Sequence, residues 1–302
     1  MKLYNDYNSY LRARYGVKVY RIGLDAGFTC PNRDGTKGRG GCIYCNENGS
    51  RSPYTEPEKA VSDQLSSRIA YLKNKFGARK FVAYFQAFTN TYSPVEKLKT
   101  VYDAILPFDG IVGMSVGTRP DCVDKSVIGL LSSYSDRYEI WIEYGLQSVR
   151  NDTLKYLNRG HTFEDFTRAV TLSKAGAVKI CAHVILGLPG ETVNDAAETA
   201  RILTGLKIDG VKIHMFHVLK GSRLEKLYRE NGLKLLSMEE YVSTVCSFLE
   251  NLSPGIVIQR LTGQGQLEYH IAPDWALDKT AAIGSIDKEL MRRKTRQGYF
   301  IS

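Results

Sequence analysis

The hydrophobic periodicity of this chain switches repeatedly between strand and helix, and that switching limits the folds open to it. Short apolar runs, many of them β-branched or aromatic, occur at 19–25, 80–86, 111–117, 138–145, 178–186 and 210–218, and each reads as a strand. Helices fit between them. Ser93-Pro94-Val95-Glu96 reads as a helix start with a capping Ser and Pro at the first helical position, and Ser237-Met238-Glu239-Glu240 is a second Ser-x-x-Glu signal. Thr162-Phe163-Glu164-Asp165 is a weaker version. Beyond Ser237, the residues Tyr241, Val242, Val245, Phe248, Leu249 and Leu252 fall at i, i+3, i+4 spacing and form one apolar face for docking on a sheet. Strands this apolar imply a parallel sheet covered by helices, and the right-handed crossover rule curls such a series into a partial barrel. The expectation is therefore an α/β fold, a partial (β/α)6 barrel with functional residues at the C-terminal ends of its strands.

Cysteine usage narrows the chemistry. Six cysteines in 302 residues are too few for a disulfide scaffold, and Cys122, Cys181 and Cys246 stand singly in apolar surroundings, as core residues do. Cys30, Cys42 and Cys45 instead crowd the loop expected after the first strand. Gly35, Gly38, Gly40, Gly41 and Gly49 lie in or beside that loop, where they allow positive φ and let backbone N–H groups turn toward sulfide or thiolate. A structural zinc site wants four protein ligands, and the nearest histidine, His161, has no ligand-like spacing. Three thiolates suit an iron–sulfur cubane with one iron left open, so ligand count favours a cluster over zinc.

Charge is uneven. Of the net +9, residues 1–40 carry eight basic and three acidic side chains and residues 287–302 carry five and two. The basic ends would suit a polyanion, with Arg12, Arg14 and Lys18 at one and Arg292, Arg293, Lys294 and Arg296 at the other, interleaved with tyrosines. No run of roughly 18 uncharged apolar residues is present, and the start lacks the apolar stretch of a secretory signal, so no membrane partner and a cytoplasmic location are expected.

Six segments together resemble the radical S-adenosylmethionine (SAM) superfamily, and within it the YhcC/YtqA type related to the radical domain of Elongator-like tRNA-modifying proteins. They are GFTCPNRDG at 27–35, GCIYC at 41–45, YFQAFTNTY at 84–92, GTRPD at 117–121, EYGLQS at 143–148 and LGLPGE at 186–191. One departure is the gap of eleven residues between the first two cysteines, where the superfamily commonly has three. The resemblance implies a TIM-like partial barrel over residues 1–230, with an N-terminal extension over 1–18. A C-terminal helix and strand extension over 231–302 would complete the barrel side and carry the basic tail. It also implies a [4Fe–4S] cluster on Cys30, Cys42 and Cys45 and SAM chelated at the open iron. One electron would then cleave the S–C5′ bond into methionine and a 5′-deoxyadenosyl radical, with a flavodoxin or ferredoxin-type protein as electron donor.

By the same resemblance, Tyr44 lies near adenine, Gln86 and Ala87 receive the methionine ammonium, and Ser115, Thr118 and Arg119 end the third strand beside the cofactor. Glu143 and Gln147 fall where the ribose hydroxyls lie, and Arg159 meets the SAM carboxylate. Leu186 and Gly187 bring bare backbone against adenine, joined by backbone at His214 and Met215. An acid within an apolar strand, as Glu143 is, costs several kcal/mol unless paired. The implied substrate is tRNA, at the wobble uridine, with a 5-carboxymethylaminomethyl group converted to 5-aminomethyl. Lys220 or Arg260 would hold its carboxylate. The chain leaves no room for the acetyltransferase domain of Elongator-like proteins, so acetyl transfer is not expected. Two other readings are a radical SAM enzyme acting on a small molecule, like oxygen-independent porphyrinogen oxidation, and a non-catalytic zinc-dependent RNA-binding module.

Overall fold

The computed structural model describes residues 2–49, 51–263 and 267–301. Met1, Ser50, 264–266 and Ser302, the last residue of the basic tail, lie outside the described residues. Helix α1 (Tyr7–Tyr15) precedes β1 (Val19–Leu24), and there follow α2 (Val61–Phe76), β2 (Lys80–Phe85), α3 (Val95–Asp103), β3 (Ile111–Thr118), α4 (Lys125–Ser132) and β4 (Glu139–Gln147). Next come α5 (Asn151–Tyr156), α6 (Phe163–Ser173), β5 (Lys179–Leu186), α7 (Val193–Gly205), β6 (Gly210–Met215), β7 (Val218–Leu219) and α8 (Arg223–Asn231). The chain ends with α9 (Met238–Glu250), β8 (Val257–Arg260), β9 (His270–Ala272), a 3-10 turn (Asp274–Leu277) and α10 (Lys279–Arg293).

Strands β1 to β6 and then β8 lie side by side in one sheet, every pair parallel. The sheet curls until its two edges approach. Arg21 of β1 donates to Gln259 Oε1 of β8 at 2.9 Å, and the N–H of Ile258 donates to the carbonyl of Asn5 at 2.7 Å, so the segment before α1 lines the seam. The fold is the expected α/β partial barrel, with seven strands in the sheet instead of six. The seventh, Val-Ile-Gln-Arg, is four residues long and is recruited by pairing with β6, a tertiary effect that its own pattern does not announce.

Two further expectations are corrected. The sixth strand ends at Met215, and Val218–Leu219 turns away to pair antiparallel with His270–Ala272. The third helix begins at Val95 with Pro94 as its N-cap and no side-chain cap, because Ser93 stands one residue too early. The caps at Thr162 and Ser237 form as full capping boxes with Asp165 and Glu240. All six apolar positions singled out on and just beyond α9 are buried.

The two faces of the sheet bury different things. Outward positions such as Ile22, Leu24, Phe85, Val116, Ile142 and Val184 pack beneath the helices in the main core. The inner face is closed at the N-terminal ends of the strands by α1. Tyr7 and Tyr10 set their rings edge-on to Trp141, with centroids 6.0 and 6.1 Å away, and Tyr10 donates to Glu139 at 2.7 Å. Trp141 fills the space left by Gly210, where a Cβ would come within 2.8 Å of the indole. Replacing Trp141 with Ala should remove this floor and lower unfolding stability by about 3–5 kcal/mol, read from chemical denaturation.

Candidate active site

At the opposite end, where the strands finish, lies a cavity of about 790 Å³. Glycines leave room for it. A Cβ on Gly145 would approach Arg159 Nη2 to 2.8 Å and Gln147 Nε2 to 2.9 Å, so only glycine allows both side chains their positions.

Cys30, Cys42 and Cys45 all reach the cavity wall from the loop after β1. The loop is held by its own backbone: the N–H groups of Arg33 and Asp34 donate to the Cys30 carbonyl at 2.7 and 3.2 Å, and that of Cys45 donates to the Cys42 carbonyl at 3.0 Å. Gly35, Gly40, Gly41 and Gly49 take left-handed φ; Gly38 does not. Asn32 ties the loop across the cavity. Its Nδ2 donates to the carbonyls of Asn158 and Arg159 at 2.6 and 3.1 Å, and Asn158 Nδ2 returns a bond to the Gly41 carbonyl at 2.9 Å.

Guanidinium groups stand against two of the thiols. Arg159 Nη1 is 3.3 Å from Cys42 Sγ while its Nη2 donates to the Gly145 carbonyl at 2.7 Å, and Arg33 Nη2 is 3.4 Å from Cys45 Sγ. Burial alone would raise the Cys42 pKa, but Arg159 and Arg119 outweigh it and hold the thiol below its ordinary value. Burial pushes the Cys45 thiol up, and Arg33 offsets that only in part. Arg119 forms a bidentate pair with Asp121, both bonds 2.9 Å; burial would raise that carboxyl, but Arg119 and Lys37 hold it down to about 2. His161 is pushed down to about 3 by burial and by Arg159, so it is neutral and spends Nε2 on the Gly145 carbonyl at 3.1 Å.

These donors discriminate between metal centres. A tetrahedral zinc with Zn–S bonds of about 2.3 Å would draw its sulfurs to roughly 3.8 Å from one another. Among the described residues the three sulfurs do not fall within 4.8 Å of each other, a spread that suits a cubane taking each thiolate on a separate iron. Cys122 is not part of the cavity wall, and its Sγ faces Asp121 at 3.9 Å. Arg159 Nε and Arg119 Nη1 are buried with no acceptor from the chain, as donors awaiting the oxygens of a ligand would be.

The remaining residues that the family resemblance assigns to SAM divide into two groups. Tyr44, Gln86, Thr118, Arg119, Glu143 and Gln147 line the cavity, as do Arg159, His214 and Met215. Ala87, Ser115, Leu186 and Gly187 are not part of its wall; Leu186 packs in the main core, and Gly187 lies so close to Leu236 that a Cβ would come within 2.8 Å. Arg260 lines the cavity and Lys220 does not. Strict alternation fails after Met215 because the strand stops there, and His214, Met215, Phe216 and His217 all contribute to the wall.

Part of the wall is a cluster that motif reading did not assemble. Glu143 is fully buried and meets three partners: Arg21, Lys212 and His183 Nε2, the last at 2.9 Å. Tyr84 accepts from Lys212 Nζ at 3.0 Å while the Arg21 guanidinium stacks 3.8 Å above its ring. The carboxylate is thus paired, as its place in an apolar strand demanded. The missing signal was period two: Arg21, Glu143, His183 and Lys212 each interrupt an apolar strand at an inward position, and His183 stands directly beside Lys212 in register. Burial, together with Arg21 and Arg260, pushes Lys212 down to about 7, yet Arg21 alone keeps Glu143 matched.

Comparison with known proteins settles the family. The sequence model of the Radical SAM superfamily matches residues 32–203. The chain belongs to the radical SAM superfamily. The model of the Radical SAM C-terminal domain matches residues 208–292. The chain is 39% identical to the protein YtqA of Bacillus subtilis (strain 168) over 99% of its own length and 93% of that protein. Over 47% of its length it is 30% identical to a tRNA uridine(34) acetyltransferase of Methanocaldococcus infernus, of which it covers 27%. Its fold resembles the structure of archaeal Elp3 from Methanocaldococcus infernus with a TM-score of 0.65 at 19% identity, over 92% of this chain and 64% of that one. The radical SAM chain is accordingly an enzyme that uses a [4Fe–4S] cluster and SAM, which excludes the non-catalytic zinc module. No helix among the described residues is long and apolar enough to cross a membrane.

The buried cluster yields a test. Glu143→Gln should leave Arg21 and Lys212 facing each other without a counter-charge and cost about 3–5 kcal/mol of unfolding stability, measured in denaturant. Glu143→Asp, which keeps the charge, should cost less.

Proposed function

We propose that this radical SAM enzyme modifies tRNA at the wobble uridine, converting a 5-carboxymethylaminomethyl side chain to 5-aminomethyl. The observation that carries the reading is the 30% identity, over 47% of the chain, with an enzyme that acts on uridine 34 of tRNA. The substrate chemistry agrees: the CH2 of that side chain lies between nitrogen and a carboxylate, both of which stabilise a radical formed there, and return of one electron to the cluster would leave an imine that water hydrolyses to the amine and glyoxylate.

Cys30, Cys42 and Cys45 hold the cluster, and the iron without a cysteine is left for SAM. When bound, the cluster and SAM together supply one electron and a 5′-deoxyadenosyl radical able to take hydrogen from carbon. The chain's own residues position and shield that chemistry. Arg159 and Arg33 offset the charge of the thiolates, and the buried donors Arg159 Nε and Arg119 Nη1 meet the SAM carboxylate. Gln86, at the end of β2, turns its amide into the cavity beside Ser52. The close strand packing and the α1 floor leave the C-terminal mouth as the way in for a nucleotide, and exclude water from the rest.

Part of the basic charge at the termini is already paired within the chain. The ends of the chain meet each other, with the Gln297 N–H donating to the Leu3 carbonyl at 2.9 Å, and α1 lies on the floor, opposite the mouth. Arg14 is tied to Glu139 at 2.6 Å and Arg293 to Glu289 at 2.7 Å. RNA held by the termini alone would not present a base to the cavity.

The reading is tested by incubating anaerobically reconstituted, reduced enzyme with SAM and tRNA from a strain lacking the gene, then digesting the tRNA to nucleosides for mass spectrometry. Loss of the carboxymethyl unit from the wobble nucleoside, together with formation of 5′-deoxyadenosine, is expected; Cys42→Ala should abolish both. Unchanged tRNA alongside turnover of a small metabolite would overturn the choice of substrate.

A further inference from the structure

Nearly every cation on the cavity wall has a partner. Arg33 stands at Cys45 and Arg159 at Cys42, Arg51 pairs with Asp25 at 2.5 Å, Arg119 with Asp121, and Lys212 with Glu143. Arg260 is different. It sits at the end of β8, facing the cavity, and among the described residues neither a carboxylate nor a hydrogen-bond acceptor pairs with its guanidinium. Its electrostatic neighbours are Tyr84, Tyr241 and the cation Arg21, and it in turn acts on Lys279. The wall's carboxylates offer no relief, since Glu143 is taken by Arg21 and Lys212, and Glu268 is exposed with no ion pair to Arg260.

A half-buried guanidinium in such a place faces the cavity among other cations and has no fixed counter-charge among the described residues. Its planar fork of donors fits two oxygens of one group. We propose that Arg260, with Lys212 beside it, is the receptor for a single carboxylate of the substrate, inside the barrel and within reach of the cofactor cavity. This assignment rests on reading the cavity as the site that takes the substrate. A carboxylate offers the Arg260 fork two coplanar oxygens and a single negative charge. A phosphodiester is also singly charged, but it is flanked on both sides by the sugars of its own strand, which the enclosing sheet keeps outside. Lys220, the other cation considered for this role, lies off the wall and uses its backbone N–H on Tyr269 at 2.7 Å.

The test is binding by the reconstituted, SAM-loaded full chain without tRNA, so that its outcome is independent of whether tRNA is the substrate. The probes are sarcosine, sarcosinamide, which keeps the ammonium but carries an uncharged amide in place of the carboxylate, and dimethyl phosphate as a phosphodiester mimic, each followed by calorimetric titration. Sarcosine should bind about tenfold more tightly than either of the others, as a charge-assisted bidentate contact requires. Arg260→Gln should lose about tenfold in sarcosine affinity, Arg260→Lys should recover part of it as a point charge, and Arg12→Gln on the barrel floor should bind like the wild type. The proposal is overturned if sarcosine and sarcosinamide bind alike, if dimethyl phosphate binds as well as sarcosine, or if Arg260→Gln retains wild-type affinity. It is overturned equally if Arg260→Gln weakens SAM binding and leaves sarcosine binding intact, because the anion would then be the cofactor's own carboxylate.

Discussion

Three cysteines brought to one cavity would repel one another once ionised to hold a cluster, and the rest of the site is arranged around that repulsion. Arg159 reaches Cys42 and Arg33 reaches Cys45, and Asn32 fixes the loop to the backbone that carries Arg159. The positions of these groups depend on missing side chains. Gly145 gives Arg159 its space, and Gly160, in left-handed φ, gives Asn32 its own, since a Cβ there would come within 2.5 Å of Asn32 Oδ1. The cysteine loop and the turn after α5 therefore act as one unit, although more than a hundred residues separate them.

The barrel divides its interior into levels with separate tasks. At the floor, α1 and Trp141 give an apolar plug; above it, Glu143 holds Arg21, Lys212 and His183 in a buried ionic layer; at the top the cysteines and the open cavity face the mouth. Placing charge in the middle level is costly unless every group is paired. In that level Glu143 serves both Arg21 and Lys212, and Arg260 has no carboxylate or acceptor among the described residues, which is why its guanidinium reads as half of an interaction completed by a ligand.

Much of this could be read from the chain. The βα alternation gave the sheet and its helices because each strand buries two faces and leaves an unmistakable apolar run. The cysteine loop and the strand ends around 117–121 and 143–148 were legible because chemistry fixes their residue types locally. What escaped was made by tertiary context. β8 is too short to announce itself and exists because β6 offers an edge; β6 stops at Met215 because β9, far along the chain, captures Val218 and Leu219. The interior cluster was written in the sequence as single ionisable residues at period two, but their convergence needs the curl of the sheet. Composition does not record which charges of the basic ends are paired: Arg14, Arg292 and Arg293 have carboxylate partners.

The account turns on an iron site with three cysteine ligands and one exchangeable position. Electron paramagnetic resonance of the reduced protein, prepared without oxygen, with and without SAM labelled with nitrogen-15 at its amino group, tests this most directly. A cluster signal that changes on adding SAM and carries coupling to the labelled nitrogen is the predicted result. A cluster whose signal ignores SAM because a fourth side chain occupies the remaining iron, or a protein that binds zinc and no iron, would contradict it.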